Sequence, residues 1–102
     1  ELLAIRSDLP ARPGRTQTVV SYIGPGYGRA GSEVFDTVTE LAALEGIALD
    51  PVYTGKAFHG LIADLEAGTF RSDASDIIFV HTGGVFGIFP HASAVKAALD
   101  SE

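Results

Sequence analysis

The order of apolar runs and amphipathic segments predicts an α/β layered fold. Three observations carry it. A β-branched run, "TVVSYIG", spans residues 18–24 and ends at glycine. Two segments between residues 32 and 67 repeat apolar residues at helical spacing. A continuous apolar run sits in "SDIIFVHTGG", residues 75–84. Strand, helix, brief extended piece, helix, strand, helix is the order in which crossover helices cover a parallel sheet.

Each element has a local reason. Leu2, Leu3 and Ile5 suit the end of a helix, but Pro10, Pro13 and Gly14 break regular structure, so residues 1–17 read as a linker or the end of a preceding helix. After the first strand, "GPGYGRAG" carries four glycines and reads as a loop. Ser32 suits an N-cap and Glu33 the positive end of the helix dipole. Val34, Val38, Leu41 and Ala42 then recur on one face, and Gly46 stands where a left-handed C′ residue belongs. "IALDPVY" is brief and extended. A second helix is expected over 55–67, with Ala57, Phe58, Leu61, Ile62 and Leu65 on its apolar side and Gly68 as its stop. The run "IIFV" is of the type buried on both faces of a parallel sheet. "HASAVKAALDSE" closes the chain as a helix, with Pro90 suited to its first turn. Two strands make a poor sheet, so residues 18–102 are expected to be the C-terminal part of a larger domain.

Composition narrows the function classes. The chain has 102 residues, a formal charge of −6 and no cysteine or methionine. The acidity argues against nucleic acid or an anionic membrane surface as partner. Absence of cysteine excludes disulfide and thiolate chemistry and suits the cytoplasm. No apolar run approaches the ~20 residues of a membrane span.

Ligands of parallel α/β sheets bind outside the carboxyl ends of the strands. Three segments meet that description: Gly24–Gly28, Tyr53–Gly55 and His81–Gly84. Each has a bland reading. Tyr27 suits a packing residue, Thr54 a helix cap, Lys56 a solvated charge and Gly83–Gly84 a strand terminator. His59, His81 and His91 lack metal-ligand spacing, so no metal site is expected. Neither a phosphate-binding P-loop nor a dinucleotide fingerprint occurs.

Taken together, "GPGYG", "EGIALDPVYTGKAFHGLI" and "IIFVHTGG" resemble the C-terminal part of the pyridoxal-phosphate enzymes that include D-cysteine desulfhydrase and 1-aminocyclopropane-1-carboxylate deaminase. The resemblance runs from about Tyr22 to Gly84, and "LDPVYTGKA" is its most specific block. It implies the tryptophan synthase β-like fold (fold type II), a pyridoxal 5'-phosphate cofactor and a homodimer. It further implies that the Schiff-base lysine, in a "GNK"-like context, and the phosphate loop lie upstream. Neither Lys56 nor Lys96 matches that lysine, so this chain would supply one wall of the site and be inactive alone. By the same resemblance Tyr53 lies against the cofactor ring and substrate, Tyr27 is a second active-site tyrosine, and Thr54, Thr82 and Gly83 border the cofactor.

The position of Thr54 bears on reaction type. Deaminase members typically carry glutamate there, and a carboxylate beside the pyridine nitrogen keeps it protonated, making the ring a strong electron sink. A neutral hydroxyl suits a substrate with a good leaving group instead. The expectation is α,β-elimination from a cysteine-like amino acid such as D-cysteine. L-cysteate sulfo-lyase and 1-aminocyclopropane-1-carboxylate deaminase activities are the rivals. A non-catalytic binding or assembly fragment is the reading from another class. Val85-Phe86-Gly87-Ile88-Phe89 departs from the small residue and proline that relatives often carry after the histidine–glycine turn, so substrate identity is less fixed than reaction type.

Overall fold

The computed structural model describes residues 17–69 and 75–101. Three α-helices order them: α1 Ser32–Glu45, α2 Thr54–Glu66 and α3 Ala92–Leu99, the last preceded by a 3-10 turn, Val85–His91. Helix α1 is the hub, packing against both α2 and α3. The core is small: Val34 and Val38 of α1 close over Leu49, with Leu41, Phe58 and Phe79 packed around them.

The expected parallel sheet is absent among the described residues, where no residue is assigned to a strand. Residues 17–20 and 75–84 carry no regular secondary structure, with no ladder between them. A strand needs a hydrogen-bonded neighbour, and two isolated segments cannot supply the three or more that make a stable sheet. Their side chains show the consequence. Val19, Val20, Ile77 and Val80 are exposed, and Ile78 is 87% exposed, although β-branched runs of this kind are built for burial. The described residues thus form a small helical unit.

Helix boundaries follow local chemistry with small corrections. Gly31, not Ser32, occupies the N-cap of α1, and no side chain caps it. Glu33 lies in the first turn as expected. Gly46 ends the helix in the left-handed region at φ 68°, and its N–H donates to Ala42 O at 3.0 Å. Pro90 lies inside the 3-10 turn, so α3 begins only at Ala92. The expected features of residues 1–16 lie outside the described residues. Among the described residues, no helix is long and apolar enough to cross a membrane.

The burial of α2 reverses its sequence pattern. Thr54, Gly55, Lys56 and Gly60 are buried, whereas Phe58, Leu61 and Ile62 are only half-buried and Ala57 and Leu65 are exposed. The small residues form the contact face. A Cβ on Gly55 would meet Val38 Cγ2 at 2.8 Å, and one on Gly60 would meet the Tyr22 ring at 2.6 Å. Part of the apolar side lines an open cleft instead.

Candidate functional site

The cleft lies between α2, the glycine loop after residue 23 and the segment through residues 79–82, with a volume of about 660 Å³. Four of the five sequence-predicted residues line it: Tyr27, Tyr53, Thr54 and Thr82. Gly83 does not. Val52, Phe79 and Val80 make its wall largely apolar.

Its entrance is organised by Asp50, which is 1% exposed. Asp50 Oδ2 accepts the N–H groups of Val52 at 2.9 Å and Tyr53 at 2.7 Å. Oδ1 accepts the Thr54 N–H at 2.9 Å and the Thr54 hydroxyl at 2.6 Å. Val52 and Tyr53 form the turn that leads into α2, and Thr54, expected as its cap, is its first residue. Asp50 thus ties that turn to the helix start, while Tyr53 stands at the N-cap without a side-chain cap bond. Burial pushes the Asp50 carboxyl up, but the donors from Thr54, Tyr53 and Val52 outweigh it and hold the group below its ordinary value. The loop from the second apolar run leans on the same carboxylate. A Cβ on Gly84 would lie 3.0 Å from Asp50 Oδ1, and Gly84 has φ 86°, so only glycine suits both the contact and the backbone.

Thr54 is 3% exposed and its hydroxyl is engaged twice: it donates to Asp50 Oδ1 and accepts the Asp50 N–H at 3.0 Å. One lone pair remains, so toward a ligand it can only accept. Thr82 is exposed at the cleft. His81 fixes the turn beside it. Its Nε2 lies 2.9 Å from Ala48 O and its Nδ1 accepts the Gly83 N–H at 3.0 Å, which assigns the tautomer protonated on Nε2. Gly83 thus contributes as the anchor of its loop.

Over the cleft stand two phenols. Tyr27 and Tyr53 are 83% and 59% exposed, yet their hydroxyls are 2.8 Å apart and their rings meet edge to face at 6.0 Å. The hydrogen bond to Tyr27, reinforced by desolvation and by the charge of Asp50, raises the pKa of Tyr53 above the ordinary phenol value. A third phenol, Tyr22, donates to Asp64 Oδ1 at 2.7 Å, and that bond raises its pKa. Sequence reasoning singled out neither Tyr22 nor Asp64; their separation of 42 residues leaves no local signal. Asp50, also missed, did leave one: Asp-Pro followed by a hydroxyl residue four positions on is a turn-and-cap pattern.

Lys56 is a correction. Expected as a solvated charge, it is 8% exposed and its Nζ donates to Ile23 O at 2.7 Å and Gly26 O at 2.9 Å. Among the described residues, no group of three or more His, Cys, Asp or Glu is gathered as metal ligands would be.

The close approach at Gly60 makes a first prediction. In Gly60→Ala the new methyl displaces the Tyr22 ring and breaks its bond to Asp64. The helix gains up to about 1 kcal/mol of propensity, which offsets the displaced ring and leaves stability nearly unchanged. Tyr22 then titrates lower, as a pH series of its ring NMR signal would show.

Comparison with known proteins agrees with the motifs. Over 73 residues the chain is 47% identical to a Thermotoga maritima protein named "Putative 1-aminocyclopropane-1-carboxylate deaminase". The match covers 72% of this chain and 22% of that protein, so the chain spans about a fifth of the relative. The identity supports kinship at the level of the deaminase and D-cysteine desulfhydrase family. No family model and no solved structure matches.

Proposed function

We propose that the chain forms one wall of the site of a pyridoxal-phosphate-dependent lyase that performs α,β-elimination on a cysteine-like amino acid, converting D-cysteine and water to pyruvate, ammonia and sulfide. The observation that carries it is the hydrogen-bonded pair Tyr27–Tyr53 over an apolar cleft that Thr54 and Thr82 also border.

The residues fit such a cofactor on one side. Tyr53 offers an aromatic face to a planar ring, and Val52, Phe79 and Val80 give it an apolar surround. Pyridoxal phosphate, when bound, supplies the electron sink that makes the α proton of an amino acid removable. Tyr53 Oη and Tyr27 Oη are joined by a hydrogen bond in which either can donate, and are suited to hold or pass a proton at the substrate.

Thr54 keeps its bearing on reaction type in a changed form. With its proton on Asp50, it meets a ring nitrogen only as an acceptor. A neutral oxygen holds a proton on that nitrogen less firmly than the carboxylate of a deaminase would, which favours a substrate with its own leaving group. Thr82 completes the polar edge. The Schiff-base lysine and phosphate loop would come from the remainder of the same protein, which we take to be a cytoplasmic homodimer.

The test is to titrate the full-length protein with pyridoxal phosphate, follow the visible band of the bound cofactor, and assay D-cysteine, L-cysteate and 1-aminocyclopropane-1-carboxylate side by side. Sulfide and pyruvate from D-cysteine at the highest kcat/KM are expected. Faster formation of 2-oxobutyrate from the cyclopropane substrate would overturn the reaction type. Failure to bind the cofactor would overturn the enzyme reading.

A further inference from the structure

We propose that Lys56 is a positioning residue: its buried ammonium clamps the carbonyls of Ile23 and Gly26 and so holds Tyr27 against Tyr53. Its value to catalysis rests on the function proposed above; the clamp itself does not.

The geometry is a two-point attachment. The loop from Gly24 to Gly28 has no regular structure, and its glycines leave its backbone few restraints. Two contacts bind it to the start of α2. One is the phenol pair at 2.8 Å. The other is Lys56 Nζ, which reaches Ile23 O and Gly26 O on either side of Gly24-Pro25. Tyr53 and Lys56 are three residues apart at the start of α2, so phenol and ammonium leave neighbouring points of one helix surface.

A lysine suits this task better than a neutral donor. Its ammonium carries three donors and no acceptor, and a charged donor bonds a carbonyl about twice as strongly as a neutral one. Burying an ammonium is costly unless its donors are used, and two of the three are. Tyr27 itself is 83% exposed, so packing does not hold it. Its place over the cleft depends on the backbone on its N-terminal side, and Lys56 fixes that backbone.

The experiment reads the clamp without the cofactor. In cofactor-free full-length protein carrying ring-labelled tyrosine, the titration of Tyr53 is followed by NMR in wild type, Tyr27→Phe and Lys56→Met. Methionine keeps the length of the side chain and removes its charge. Tyr27→Phe defines the shift produced by losing the phenol partner. Lys56→Met is expected to move Tyr53 down by at least half of that shift, with the chain still folded. A folded Lys56→Met in which Tyr53 titrates as in wild type would overturn the proposal.

A wild-type measurement keeps the test open should the variant not fold. Under trace acetylation, Lys56 is expected to react about tenfold more slowly than Lys96, which is 74% exposed at its side chain. Equal rates would overturn the clamp. With cofactor and D-cysteine, folded Lys56→Met should lose about tenfold in kcat with little change in KM, the mark of misplaced rather than missing contacts. If wild type shows no turnover while the Tyr53 shift is found, the lyase reading falls and the clamp stands.

Discussion

Asp50→Ala is expected to lower the unfolding free energy of the folded unit by roughly 2–4 kcal/mol, because it strips acceptors from three backbone N–H groups and one hydroxyl in a buried place. The loss has no easy relief. Water cannot readily replace a carboxylate that is 1% exposed, and the loop at Gly84 and Gly87 rests on the same side chain. Asp50→Asn tests the charge with the shape kept. Its amide turns donors toward N–H groups that are themselves donors, so it should also destabilise, though less. The sign of the pH dependence follows from the depressed carboxyl. A group whose pKa is lower folded than unfolded stabilises fully above its unfolded value, and that contribution is lost as pH falls through the folded value. Wild type should therefore lose stability below about pH 4, the ordinary aspartate range, and Asp50→Asn should lack that component. Urea denaturation at several pH values measures both. Equal stability of Asp50→Ala and wild type would mean the carboxylate is dispensable to the turn that leads into α2.

What the sequence reveals and what it conceals divide along the range of the interactions. Helices α1 and α2 were legible because their determinants are local: apolar spacing around Val34 and Val38, the left-handed glycine at 46, and the glycine stop after α2. The apolar runs were legible as composition, but a strand is a relation between segments. With no ladder among the described residues, residues 17–20 and 75–80 form no strand, and all but Phe79 are exposed. Tyr27 and Tyr53, singled out by the family resemblance, do meet. The site was hidden where the tertiary fold reassigns a role. Thr54 is the first helical residue, bonded to Asp50, and Lys56 leaves solvent for two carbonyls more than 29 residues away in sequence. The apolar stripe of α2 misled for a related reason. Hydrophobic periodicity marks a face suited to burial, but close helix packing is made at glycines, which the pattern does not count.

That contact face makes Gly55→Ala the more disruptive of two similar substitutions. A Cβ at Gly55 would stand 2.6 Å from Asp50 O and 2.8 Å from Val38 Cγ2, with Val34 Cγ1 at 3.3 Å. The first of these is backbone, and it already accepts the Gly55 N–H at 2.7 Å. It cannot swing aside as the Tyr22 ring can at Gly60. Helix α2 must then move off α1, at a cost of roughly 1–3 kcal/mol for overpacking, more than the helix propensity that alanine adds. The shift also carries Tyr53 and Lys56 away from the glycine loop, so the phenol pair should separate. Gly55→Ala is thus expected to lower the denaturation midpoint with an unchanged slope and to move the Tyr53 titration down. Gly60→Ala should do neither, and should move only Tyr22. A Gly55→Ala protein as stable as wild type would show that α1 and α2 are not in close contact at this point. The alignment of Tyr53 over the cleft would then have to come from the Asp50 turn alone.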